Sequence, residues 1–112
     1  MPRFVVLEHD HPVLHWDLML EADGTLRTWR LGTVPAASVT TPCEQLADHR
    51  HAYLEYEGPV SGGRGCVKRV MAGDYDILET TSDVLRFRLV TRDSVLEGEL
   101  SPPAGAGQAT FR

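Results

Sequence analysis

The chain has 112 residues, enough for one domain with its own core and too few for a two-domain mechanism. It is 42% hydrophobic and 24% charged, ordinary for a globular protein, so a core that needs no disulfide or metal staples is expected. Eleven Lys and Arg against sixteen Asp and Glu give a net charge of -5, which excludes a generally basic, polyanion-binding surface and requires any phosphate to be met locally by a metal or clustered arginines.

The apolar run near the start, Phe4 to Leu7, is too short for a signal peptide or a membrane span. Cys43 and Cys66 lie in no metal-binding spacing. They read as free thiols in a reducing, cytoplasmic setting, and a monomer is the favoured state.

Along the chain the hydrophobic period is two rather than 3.6. Phe4 to Leu7 reads as a short strand, and Val13 to Ala22 alternates strictly. Asp23-Gly24 is a type I′ turn signal, and alternation resumes from Thr25 to Leu31. With Ala22 opposite Thr25, this hairpin aligns Leu18 with Trp29, Asp17 with Arg30 and Trp16 with Leu31. Trp16, Leu18, Leu20, Trp29 and Leu31 then share one face, and His15, Asp17, Met19, Thr28 and Arg30 share the other. A one-residue slip would part the two tryptophans, so burial supports this register.

His15 and Asp17 project the same way with Cβ atoms roughly 6 to 7 Å apart, a separation that suits two ligands of one metal ion. His9 ends the preceding strand, and the His-Pro loop is expected to return the chain so that His9 lies beside His15. Two imidazoles and a carboxylate leave coordination positions open, as a catalytic metal requires. A His-x-Asp pair also occurs on solvated faces. The clustering of His9, His11 and His15 within seven residues, and of His49 with His51, strengthens the metal reading.

Farther on, Thr41-Pro42-Cys43-Glu44 has a capping-box pattern, compatible with a helical turn running toward His51 or with extended chain. Strands are expected at Tyr53 to Glu57, Cys66 to Met71, Tyr75 to Glu79, Val84 to Val90 and Val95 to Leu100. Residues 101 to 107, with two prolines and two glycines, read as a flexible loop before a last segment, Gln108 to Arg112. The glycine-rich Ser61 to Gly65, followed by Lys68 and Arg69, reads either as a basic loop gripping a nucleic-acid backbone or as a plain hairpin connection. With Arg3, Arg27 and Arg50 it would form a local basic rim. Seven or eight short strands with one or two helical turns point to a mainly β fold, a small antiparallel barrel.

The run F-V-V-L-E-H-D-H-P-V-L-H-W-D-L-M-L-E from Phe4 to Glu21, then D-G-T-L-R-T-W and D-H-R-H-A-Y-L-E-Y-E-G from Asp48 to Gly58, resembles the 3′-phosphoesterase domain of bacterial DNA ligase D and its free-standing relatives. The resemblance implies a small β-barrel holding a divalent metal, typically manganese, that removes a 3′-terminal ribonucleoside or phosphate from DNA or primer ends. It also implies service to a ligase or polymerase of end joining. Carried over by position, His9, His15 and Asp17 would be metal ligands, and His49 and Tyr53 would contact the reacting phosphate. Four apart, those two would share a face on one helical turn.

Three positions depart from that pattern. The family's arginine after H-x-D is Met19 here, its lysine beyond the tryptophan is Thr33, and its arginine upstream of the D-H motif is absent. The hairpin register puts Arg30 across from Asp17 and diagonal to Met19, so Arg30 is expected to have taken over the phosphate contact. A surface ion pair between Arg30 and Asp17 is its simpler alternative. At the level of function, a catalytically silent relative that binds DNA ends or a repair partner is the alternative. A 2-oxoglutarate oxygenase site built on His15-x-Asp17 is excluded by chain length.

Overall fold

The computed structural model describes residues 2–112. Nine strands are joined by short connections: β1 (Arg3–His9), β2 (His15–Ala22), β3 (Thr25–Leu31), β4 (Val39–Arg50), β5 (Gly58–Pro59), β6 (Cys66–Thr80), β7 (Leu85–Val90), β8 (Val95–Ser101) and β9 (Ala106–Phe111). They form one antiparallel sheet in the order β1-β2-β3-β4-β9-β8-β7-β6-β5, and an additional β1–β6 pairing closes eight of them into a barrel. Closure leaves no long free edge, which suits a small domain whose strands would otherwise template aggregation. No helix among the described residues is long and apolar enough to cross a membrane.

The β2–β3 hairpin has the register read from the sequence, with Leu18 opposite Trp29 and Asp17 opposite Arg30. Its turn needs two residues with positive φ, and Asp23 and Gly24 supply φ of 53° and 79°. Inside the barrel, Phe4, Val6, Leu18, Leu20, Trp29, Leu31, Phe87, Leu89, Leu100 and Phe111 form the main core. Phe87 and Phe111 meet edge to face at 6.3 Å.

The opposite face of the hairpin is not a solvated polar surface. Val5, Leu7, Met19, Leu26, Leu54 and Val67 make a second, smaller core on the outside of the barrel. The chain between β4 and β6 folds back over this face and roofs it, with Tyr53 and Val60 packed against it. His15, Asp17 and Thr28 are buried as a result.

Of the two conformations open to Thr41 to His51, residues 41–50 take the extended one: residues 41–44 pair with β9 and residues 43–50 with β3, and these ladders outweigh the local capping signal. Other expected elements are corrected. Tyr53 to Glu57 is not a strand. A 3-10 turn spans His51–Leu54, because the chain must leave the sheet there to cross the outer face. The two strands expected at Cys66 to Met71 and Tyr75 to Glu79 are one long strand, β6, bent where Val70 is inserted as a bulge against β1. Only residues 102–105 separate β8 from β9, and the Pro103 carbonyl there accepts the Trp29 indole N–H at 2.7 Å.

Glu21, at the end of β2, fastens the crossing segment to the barrel. It accepts hydrogen bonds from His51 Nε2 at 2.5 Å and from the Arg3 backbone N–H at 3.0 Å. The hydrogen bond from His51, followed by that from Arg3, holds its carboxyl below the usual range. A carboxyl with a depressed folded-state value stabilises the fold above its unfolded value of 4.5, and that contribution disappears as pH falls through the folded value. Glu21→Gln is therefore expected to lower stability in urea titrations at pH 6 by under about 1 kcal/mol, as for half-exposed pairs. The difference from the parent should close as pH falls through the folded-state value of Glu21.

Candidate functional site

His9 ends β1 directly across from His15 at the start of β2, as the return of the His-Pro loop requires. Asp17 follows two residues on and points the same way. His15 Nε2 lies 3.4 Å and His9 Nδ1 3.8 Å from Asp17 Oδ2, and one ligand atom from each residue lies within 4.8 Å of the others. The two imidazole rings meet edge to face with centroids 4.9 Å apart.

Backbone carbonyls hold both rings in place. His15 Nδ1 donates to the Val13 carbonyl at 2.7 Å, and His9 Nε2 donates to the Arg64 carbonyl at 2.8 Å. A carbonyl only accepts, so these nitrogens carry the hydrogens, and the opposite nitrogens turn toward Asp17 as free donors for a metal. Asp17 itself is 2% exposed, and its Oδ1 has no hydrogen-bond partner. Burial raises its carboxyl above the usual range, against the pull of His15, His49, His9 and Arg30. A buried carboxylate with one oxygen beside two oriented imidazole nitrogens and the other without a partner fits a divalent cation, and the mixed N and O donor set suits a transition ion.

His9 and Asp17 line a groove of about 740 Å³ between the barrel wall and the crossing segment. His49 and Tyr53 line the same groove with ring centroids 5.9 Å apart. They do not share a helical turn. His49 sits on β4, and Tyr53 in the 3-10 turn. An extra β4 residue lies between the Thr28–Leu46 and Leu26–His49 pairs, and this bulge moves His49 from the barrel interior to the face it shares with Leu26. His49 Nδ1 donates to the Ala47 carbonyl at 3.0 Å, which leaves Nε2 toward the groove.

Arg30 also lines the groove. Among the described residues no carboxylate lies within 4.0 Å of its guanidinium, so the simple ion pair with Asp17 is absent. Its Nε is buried without a partner. Met19 is 1% exposed, packed in the outer core and on the groove wall, while Thr33 is exposed.

The expected basic rim is only partly assembled. Arg50 and Arg64 line the groove, but Arg27 lies over the Trp29 ring, Arg3 pairs with Glu55, and Arg69 pairs with Glu57. Arg64 turns back to Ser61 through its Nε, so the glycine-rich loop contributes a carbonyl to His9 more than a free cation. The Val13, Arg64 and Ala47 carbonyls escape sequence reasoning altogether, because backbone groups carry no residue signature. His11 also lines the groove, and its place in the histidine cluster was its one signal.

An eight-stranded barrel with a two-histidine, one-carboxylate cluster in an open groove defines the class: a small β-barrel with a candidate metal centre. The sequence matches the model of the DNA Ligase D 3′-phosphoesterase domain over residues 7–101, and the chain belongs to that family. It is also 36% identical over 63 residues to the multifunctional non-homologous end joining protein LigD of Pseudomonas aeruginosa. That alignment covers 54% of this chain and 8% of the much longer relative.

Gly65 is the point at which the loop is most constrained. Its φ is +74°, and a Cβ there would lie 2.2 Å from Asp10 Oδ1 and 2.7 Å from His11 Cβ. Gly65→Ala should displace the Arg64 carbonyl from His9 and weaken divalent-cation binding at the cluster by about tenfold, as loss of an outer-shell partner typically does. Isothermal titration with manganese measures this, alongside circular dichroism to confirm the fold.

Proposed function

We propose that this chain is a manganese-dependent phosphoesterase that removes phosphate or a terminal ribonucleoside from the 3′ ends of DNA or primers, leaving a 3′-hydroxyl for a ligase or polymerase of end joining. A cytoplasmic repair setting follows from that role. One observation carries the reading beyond family membership. Among the described residues, two buried side-chain atoms lack any hydrogen-bond partner: Asp17 Oδ1, which seeks a cation, and Arg30 Nε, which seeks an anion. Their residues face each other across the hairpin and line one groove without pairing. A metal and a phosphate bound together would satisfy both.

In this reading His9 Nδ1, His15 Nε2 and Asp17 hold the ion. When bound, it supplies positive charge that polarises the phosphoryl group and acidifies nearby water. Arg30 binds the non-bridging oxygens from the neighbouring strand, in place of the arginine that Met19 replaces. Tyr53 donates its hydroxyl hydrogen as charge builds, and His49 Nε2 faces the groove to pass a proton to the leaving oxygen. Arg50 and Arg64 keep the local field positive on an otherwise acidic protein.

The apolar Met19 favours a second reading, a relative that binds ends without turning them over. Release of inorganic phosphate from a 3′-phosphorylated oligonucleotide, dependent on added manganese, separates the two. Arg30→Ala should lower that release by about 10² to 10³ while leaving manganese affinity nearly intact. Unchanged turnover in the variant would refute the role given to Arg30.

A further inference from the structure

A second groove, of about 440 Å³, opens beyond the wall formed by Arg30. It shares Pro12 and Arg30 with the larger groove, and His15 of the candidate metal centre also lines it. The two spaces therefore flank one position, that of the reacting phosphate in the function proposed above. Their linings differ in kind. The larger groove holds Arg30, Arg50 and Arg64, whereas the smaller is mostly apolar, with Val13, Leu14, Leu31 and Pro42 along its walls.

Val13 and Leu14 are 72% and 52% exposed, apolar surface that nothing in the fold covers. Glu44, paired across from Arg30 on β4, is the acidic group of this groove, and Arg30 at the shared wall is its one strong cation. A further phosphate beside Glu44 is disfavoured by like charge, while a flat uncharged group gains from leaving water. The volume lies within the roughly 300 to 1,000 Å³ of small-molecule sites.

We propose that this apolar groove receives the nucleoside on the far side of the scissile phosphate, while the rest of the strand runs past Arg50 and Arg64. The assignment rests on the phosphoesterase reading and deepens it. Water adds to phosphorus, and the bond from phosphorus to the 5′ oxygen of the terminal nucleoside breaks. That oxygen takes the proton released by the water, so the nucleoside departs with a 5′-hydroxyl and the strand retains a 3′-phosphate. A second hydrolysis of the resulting monoester, with the apolar groove empty, gives inorganic phosphate and a 3′-hydroxyl. One centre thus serves both substrates, and the groove selects only for the first.

The test uses the full chain with manganese and two 5′-fluorescein strands in which a methylene group replaces the oxygen bridging to the terminal unit, so that neither is turned over. One ends in a nucleoside, the other in an abasic sugar. Fluorescence anisotropy should show about tenfold tighter binding of the nucleoside-ended strand, the gain expected from burying one base face. Leu14→Asp and Val13→Asp, both on an exposed loop, should bring the ratio of the two affinities near one. Turnover of a 3′-phosphorylated strand by the parent protein is measured in parallel. Such turnover with a parental ratio near one, or with a ratio that survives in both variants, overturns the nucleoside groove alone. Absence of manganese-dependent turnover overturns the phosphoesterase reading and this assignment with it.

Discussion

The hairpin from His15 to Leu31 constrains everything that follows. Once Asp23 and Gly24 make the tight turn, the alternation of side chains leaves no freedom: placing Trp29 and Leu31 in the barrel forces Asp17 and Arg30 to the outside, directly opposite each other. The outer face then carries an acid, a base and a histidine on neighbouring strands. Their chemistry depends on being covered, since a solvated carboxylate has little reason to hold a metal tightly.

Cover comes from the segment between β4 and β6. It departs from the sheet through the His51–Leu54 turn, buries Leu54 against Met19 and its neighbours, and returns through the glycine-rich loop. The same path delivers Tyr53 to the groove and the Arg64 carbonyl to His9. Packing and site assembly are thus one event. The apolar cluster outside the barrel stabilises the roof, and the roof helps to desolvate Asp17 and fixes His9. Met19 belongs to this arrangement: a buried methionine extends the outer core, and the nearby guanidinium left without a counter-ion is that of Arg30.

Much of this was legible beforehand because its causes are local. The hairpin register, the orientation of His15, Asp17 and Arg30, and the return of His9 beside His15 all follow from a period of two and a two-residue turn. The motifs around His9 to Glu21 and Asp48 to Gly58 point to the family that the match over residues 7–101 shows. Local signals left a choice open, or misled, where partners distant in the chain decide the backbone. Thr41 to Glu44 carries a helix-start pattern compatible with either conformation, and neighbouring strands take its hydrogen bonds, whereas Tyr53 to Glu57 looks like a strand but must bridge a face.

By itself, then, the sequence determined which residue types share a face and which chemistry they support, since covalent spacing along a strand is fixed within a few tenths of an ångström per residue. Tertiary structure alone decided that the face is buried, that a bulge turns His49 outward to meet Tyr53, and that three backbone carbonyls set which imidazole nitrogens are free. Those outcomes rest on contacts between segments far apart in the chain, whose energies no local pattern encodes.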